Sequence, residues 1–276
     1  MSATHAPVWE GVWMLRHERL SGMLEFVARQ GTVSIEDLVE AFGISAATAR
    51  RDLDDLSAQQ LITRTRGGAV AHAVTYDLPL RYKASKQPRQ KRDIAAYAAG
   101  LAALNSVIGI NGGTTNTEVA HELAARVEQG TNGELASPSF TVVTNALNIA
   151  NELAVRPKIK IVVVGGVLRS QSFELIGPFA KHVLKGVSID TMFLAVDGIT
   201  VDGGLAAAHE GEAQINAMMV NRSRRVVVVA DSSKLGKRAF CTICPLEKVD
   251  LLVTDRDAPP EVVAQFEAAG LTVELA

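Results

Sequence analysis

The chain has 276 residues, 47% of them hydrophobic and 21% charged, with a formal net charge of −2. It is long enough for a small domain plus a larger one, too apolar for a disordered chain, and too balanced for its total charge to name a polyanionic partner. The distribution of charge says more: residues 16–92 carry 13 Lys+Arg against 9 Asp+Glu, and the rest of the chain 15 against 21, which places a polyanion-binding part at the N-terminus and an acidic globular part behind it.

No apolar run approaches the roughly 20 residues that cross a bilayer. Residues 1–14 lack a basic stretch followed by an apolar one, so no secretory signal is expected and the protein is placed in the cytoplasm. The segment ahead of Leu15 has no evident structural role: either Met14 is the start or the leader is a frayed tail.

Leu20, Leu24 and Val27, with Met23 and Phe26 beside them, recur at helical spacing and predict a first helix ended by Gly31. Thr32-Val33 reads as a short extended piece. Ser34-Ile35-Glu36-Asp37 sets a hydroxyl at an N-cap and an acid three residues on, a capping-box-like start for a second helix running to about Phe42. Gly43 supplies a tight turn, and Ser45 an N-cap for a third helix from Ala46 or Ala47. On that helix Ala49, Leu53 and Leu56 form an apolar inner face, leaving Ala46, Ala47, Thr48, Arg50 and Arg51 outward. Such a pair of helices has helix-turn-helix anatomy, with the N-terminal half of the second suited to a major groove. Leu61 to Val70 reads as a two-stranded wing, its Gly67-Gly68 turn flanked by Arg64 and Arg66 for phosphates or a minor groove. Ser45, Ala47, Thr48, Arg50, Arg51, Arg64, Arg66 and Gly67 are the residues expected on double-stranded DNA. A three-helix interaction module with solvated arginines is the competing reading, and the wing and the charge asymmetry weigh against it.

From Thr75 to Arg92 the prolines Pro79 and Pro88 interrupt a basic stretch without periodicity. It reads as an extended linker feeding a helix that starts near Pro88, either a solvated hinge or an added set of phosphate contacts. The boundaries that follow are a winged helix-turn-helix over 15–72, a linker over 73–92 and a larger domain over 93–276.

Beyond a helix from about Arg89 to Ala102, short apolar runs alternate with helical stretches: Val107–Ile110, Thr141–Val143, Ile159–Val164, Met192–Val196, Val226–Ala230 and Leu251–Thr254. That pattern predicts an α/β domain with a mostly parallel sheet buried on both faces, which binds ligands at the carboxyl ends of its strands. Polar motifs stand at those ends. Asn111-Gly112-Gly113-Thr114-Thr115 joins a strand to a helix, so that free backbone amides, hydroxyls and the positive end of the helix can converge on an anion. Asn145, then Gly166 followed by Arg169, Gln171, Ser172 and Glu174, then Asp197, then Lys234 follow at later strand ends, with Glu212 and Asn216 on an intervening helix. Five polar strand ends on one rim predict a small-molecule site. Cys241 and Cys244 have no second pair or nearby His cluster, so they read as structural and neither metal nor cofactor is expected.

Thr48-Ala49-Arg50-Arg51-Asp52-Leu53 followed by Arg66-Gly67-Gly68-Ala69 resembles the DeoR/GlpR family of transcriptional regulators, and so do Val143-Thr144-Asn145, Val164-Gly165-Gly166-Val167-Leu168-Arg169, Asp197-Gly198-Ile199 and Ala230-Asp231-Ser232-Ser233-Lys234. The resemblance covers the chain from about Leu15 to Ala276. It implies a repressor of sugar catabolism genes that assembles as a dimer or tetramer, with a sensor domain similar to sugar-phosphate isomerases whose phosphorylated-sugar effector relieves repression. Three positions depart from the family pattern: Ala49 replaces a larger aliphatic residue, Asn111-Gly112-Gly113 replaces an Asp-Ser-Gly, and Asn216 stands where a lysine is common. Glu212-Ala213-Gln214-Ile215-Asn216 resembles the branch that regulates amino-sugar use, N-acetylgalactosamine in particular. The competing functional class is an enzyme, a sugar-phosphate isomerase or amino-sugar deaminase, with Asp197, Glu212 and Lys234 at the rim. An RNA-binding or protein-interaction module is a third reading, which the wing and recognition-helix pattern disfavour.

Overall fold

In the structure, a computed structural model, residues 15–59, 61–71, 80–84, 86–129 and 139–276 are described. The leader and residues 73–79 of the connector lie outside them. The chain forms two units, one ending at Lys86 and one beginning at Gln87.

In the first unit, α1 (Arg16–Gln30), α2 (Ile35–Phe42) and α3 (Ala46–Ala58) surround one apolar core, with β1 (Thr32–Ser34), β2 (Ile62–Arg64) and β3 (Gly68–Ala71) alongside. The caps predicted from sequence start the helices: Ser34 accepts from the Asp37 amide while Asp37 accepts from the Ser34 amide, and Ser45 accepts from the Thr48 amide. Met23, Leu24, Val27, Leu38, Leu53 and Leu56 are fully buried against one another, the stripe on each helix turned inward. The wing differs from expectation by one strand. Thr32–Ser34 pairs antiparallel with Gly68–Val70, giving a three-stranded sheet in the order β1-β3-β2. Gly68 is what permits that approach, because a Cβ there would stand 1.9 Å from the Val33 carbonyl oxygen.

The connector also departs from the extended reading. Leu80–Ala84 forms a short helix, α4; Tyr82 is buried in the core of the first unit and its hydroxyl donates to Gln59 Oε1 at 2.6 Å. Five residues are too few to show a periodicity, so a single aromatic anchor was indistinguishable from linker.

The second unit opens with α5 (Pro88–Gly100), its proline at the first helical turn, where the missing N–H costs nothing. There follow β4 (Ser106–Ile110), α6 (Thr114–Gln129), β5 (Phe140–Thr144), α7 (Leu147–Ala154), β6 (Ile159–Val163), β7 (Val167–Arg169), β8 (Glu174–Ile176), α8 (Ala180–Lys185), β9 (Ile189–Leu194), β10 (Gly198–Thr200), β11 (Gly204–Ala207), α9 (Glu210–Val220), β12 (Ser223–Val229), β13 (Cys241–Cys244), β14 (Leu251–Thr254), α10 (Pro260–Ala268) and β15 (Val273–Leu275). Seven strands form a sheet in the order β15-β14-β12-β9-β4-β5-β6, every neighbouring pair parallel. Alternation along a strand sends side chains to opposite faces. In β12, Val227 and Val229 join the cluster of Ile94, Leu123 and Ile149, while Val226 and Val228 join that of Ile215, Met219 and Phe266. Helices α5, α6 and α7 therefore cover one face and α8, α9 and α10 the other.

Two small antiparallel additions were not predicted: a β7–β8 hairpin and a β10-β11-β13 sheet. Cys241 and Cys244 lie in β13 as free thiols, and burial pushes the Cys244 thiol up to about 11. Among the described residues no helix is long and apolar enough to cross a membrane, and no cluster of His, Cys, Asp and Glu could hold a metal ion.

Candidate functional site

Two surfaces carry the residues singled out from sequence. The first is the outer face of α3. Its three aspartates are each tied to an arginine: Asp52 accepts from Arg19 Nε at 2.6 Å, Asp55 pairs with Arg16, and Asp54 accepts from Arg64 Nε at 2.8 Å. The first two fasten α3 to α1, and the third fastens it to the wing. Arg50 and Arg51 point the other way, exposed, and among the described residues neither takes part in an ion pair. The acidic residues of the helix are thus neutralised internally, while its two arginines keep their charge for an outside anion. Ala47 is exposed beside them, and the Ser45 and Thr48 hydroxyls lie 2.9 Å apart at the helix start.

On the wing, Arg66 and Gly67 are exposed at the turn. Arg64, expected on DNA, is held inside the unit: besides Asp54 it donates to the Gly68 carbonyl at 2.6 Å. It braces the turn and leaves Arg66 as the cation at the tip.

The second surface is the carboxyl edge of the seven-stranded sheet. The chain runs outward through β4, β5 and β6, then returns to the other side for β9, β12, β14 and β15, so strand order reverses between β4 and β9. Crevices at such reversals are where doubly wound sheets bind ligands. The Asn111–Thr115 loop leaves β4 at that point, and α6 begins at Thr114. The first amides of a helix have no intrahelical acceptor and carry the positive end of its dipole, so they present an anion site. Thr114 is half-buried here and Thr115 buried.

Asn111, expected on the ligand, has its side-chain amide tied to the backbone after β9. Its amide donates to the Ala195 carbonyl at 3.0 Å and accepts from the Ala195 amide at 2.8 Å. Fully buried Asn116 donates to Asn111 and to the Phe193 carbonyl. Together they extend the β4–β9 pairing past the strand ends and fix the loop in place.

The structure brings Gly112, Asn145, Asp197 and Glu212 around Glu174, which the sequence marks only as one of the polar residues following Gly166. Its carboxylate Oε1 accepts from the Gly112 amide at 2.5 Å. Burial, then the charges of Glu212 and Asp197, push the Glu174 carboxyl up to about 8, against the lowering effect of the Gly112 amide and the Asn145 side chain. Arg169 donates to Glu212 Oε1 at 3.1 Å, and Asp197 accepts from the Ala208 amide at 2.9 Å. Asn216 is buried one turn beyond Glu212 on α9, on the same helix face. Lys234 ends a 3-10 turn after β12, capped by Asp231, and is half-buried. Gly166 is not part of this cluster: it packs on the Ile176 backbone at φ +141° and lets the hairpin fold back. No local signal could have set Glu174 apart from Arg169, Gln171 and Ser172, since its partner is 62 residues away and its aim depends on the hairpin register.

Residues 19–74 match the DeoR-like helix-turn-helix domain, and residues 86–256 match the DeoR C terminal sensor domain. The chain is 34% identical over 262 residues to the Glycerol-3-phosphate regulon repressor of Escherichia coli (strain K12), covering 95% of this chain and 100% of that one. It is 30% identical over 246 residues to the HTH-type transcriptional repressor GlcR of Bacillus subtilis (strain 168), covering 88% and 90%. Among solved structures, ribose 5-phosphate isomerase A from Methanocaldococcus jannaschii overlaps with 19% identity over 54% of this chain and 55% of that one, at a TM-score of 0.40.

Proposed function

The chain belongs to the DeoR family of helix-turn-helix transcriptional regulators, and from that premise we propose that it represses sugar-catabolic genes under the control of a phosphorylated sugar held at the carboxyl edge of its seven-stranded sheet. Membership sets aside the isomerase and deaminase alternatives: the chain is a transcriptional regulator.

The observation that carries the reading is the pairing of two opposite charge designs in one chain. On α3 every aspartate is internally matched and Arg50 and Arg51 are exposed, which suits phosphates and base edges in a major groove. At the β4–β9 reversal the α6 amides and the Thr114 and Thr115 hydroxyls are donors suited to a phosphate. The surrounding acceptors, Asn145, Asp197, Glu212 and Asn216, suit sugar hydroxyls, and Lys234 stands at the next strand end for an anionic group. Two copies of the chain would set two α3 helices on a repeated or palindromic operator, since half-sites about one helical turn apart match a dimer. The effector alters operator affinity only by the difference between its affinities for the DNA-competent and DNA-incompetent states.

The test is fluorescence anisotropy of the full chain on DNA upstream of its own gene. It is repeated with glycerol 3-phosphate, hexose phosphates and amino-sugar phosphates, the last because Glu212–Asn216 resembles the amino-sugar branch. Specific binding shifted by one of these compounds is the expected outcome. Specific binding that none of them moves would overturn the effector assignment and leave the DNA reader standing.

A further inference from the structure

The Gly112 amide, at the mouth of the effector loop, is already occupied by an acid from elsewhere in the chain. Glu174 Oε1 lies 2.5 Å from the Gly112 nitrogen. The contact is close along the side chain as well: a Cβ on residue 112 would stand 2.5 Å from Glu174 Cγ and 2.7 Å from its Cδ. Glu174 is 3% exposed, so its carboxyl fills the space beside the loop and excludes water from it.

The hairpin that carries this acid is anchored by backbone. The Leu175 amide donates to the Asn145 carbonyl at 2.7 Å, and the Leu147 amide donates to the Phe173 carbonyl at 2.9 Å. The β7–β8 hairpin is thereby sewn to the end of β5, next to β4 in the sheet. The position of Glu174 follows from that register and is not a chance rotamer of a surface side chain.

An anion-binding loop whose Gly112 amide is held by an internal carboxyl has two exclusive occupancies at that amide. Resting on the effector reading above, we propose that Glu174 is a specificity-determining residue of the sensor: its carboxyl oxygen is an internal acceptor that holds the Gly112 amide and competes there with the phosphate group of the effector. Only an effector whose remaining contacts outweigh the lost Glu174–Gly112 bond takes the loop fully, so free inorganic phosphate is rejected while a phosphate carried on a hydroxylated frame is accepted. The departure at position 112 belongs to the same device. Gly112 has an ordinary backbone φ, so serine fits the chain there, but its Cβ would overlap Glu174.

Inorganic phosphate binding to the full chain, followed by isothermal calorimetry and by the Gly112 amide resonance, tests the proposal with three variants. Glu174→Ala vacates the amide and is expected to tighten phosphate binding at least about tenfold. Gly112→Ser expels the Glu174 carboxyl from the other side and is expected to do the same, which covers the case in which the alanine variant fails to fold. Glu174→Gln keeps an acceptor on the amide and is expected to stay near the parent. If Glu174→Gln gained as much as Glu174→Ala, charge alone would be at work and the competition would be refuted. Equal phosphate affinity in all four proteins would overturn the role of Glu174 while leaving the phosphate loop intact. Failure of every variant to bind phosphate would remove the loop assignment and this inference with it.

Discussion

Replacing Glu174 by glutamine should abolish a pH dependence of stability that the parent protein carries. In the unfolded chain Glu174 ionises near its ordinary value of 4.5; in the folded protein burial and the neighbouring Glu212 and Asp197 push it to about 8. Between those two values the folded state binds more protons than the unfolded one, so stability falls as pH rises through the window and is level above it. Each unit of difference is worth about 1.36 kcal/mol, so the whole window amounts to on the order of 5 kcal/mol. Glutamine reproduces the protonated acid: its carbonyl oxygen can accept from Gly112, and its amide can donate where the acid proton would. Between about pH 5.5 and about pH 8 the variant should gain roughly 3 kcal/mol on the parent. For a unit of this size that is about 6–12 °C in melting temperature. Scanning calorimetry of both full chains across that range measures it, following the transition of the larger unit. Parallel melting profiles at every pH would show that Glu174 ionises normally and would refute the account of its surroundings.

Arg50→Ala and Arg51→Ala should each weaken operator binding, and each phosphate contact removed should lower the slope of log affinity against log salt by about 0.9; anisotropy titrations over a range of salt read both quantities, and an unchanged slope would take α3 out of the groove. Gly68→Ala places a methyl group 1.9 Å from the Val33 carbonyl oxygen, so it should open the three-stranded wing at a cost of about 1–3 kcal/mol. Operator binding should fall and the melting of the larger unit should stay unchanged, whereas loss of stability in both units would argue against a local effect. Thr114→Ala and Lys234→Ala should leave operator affinity intact and remove the response to a sugar phosphate; a retained response would detach both residues from the effector.

The helix-turn-helix was legible because its signals are local. Ser34 with Asp37, Gly43 and Ser45 mark helix ends within three residues of the groups they cap, and the apolar spacing of Leu20, Leu24 and Val27 returns every turn. The parallel sheet was legible for the same reason: a strand buried on both faces is apolar throughout, as Val226–Val229 is. The third strand of the wing was not, because Thr32–Ser34 acquires its partner only when Gly68 lets the backbones meet. The internal partners of Arg64 and Asn111 were not legible either. A sequence names an arginine near a wing and an amide at a strand end, but Asp54 and Ala195 decide where they point.

Glu174 is instructive, because its contact with Gly112 bears on a departure that was visible without it. Gly112 in place of a serine reads, on the loop alone, as the loss of a hydroxyl from an anion site, and so as a change in what the pocket prefers. The structure adds a neighbour to that reading. The space a serine Cβ would take is filled by the Glu174 side chain, so the glycine admits a carboxyl to the Gly112 amide. The two are alternatives in one volume of this chain: a side chain at position 112 and the Glu174 carboxyl cannot both occupy it. With a side chain at 112 the loop is open and its affinity is set by the phosphate itself. With Glu174 in place, the rest of the ligand must supply the difference, and at about 1.4 kcal/mol for each factor of ten one well-placed hydrogen bond is enough to bias which effector binds.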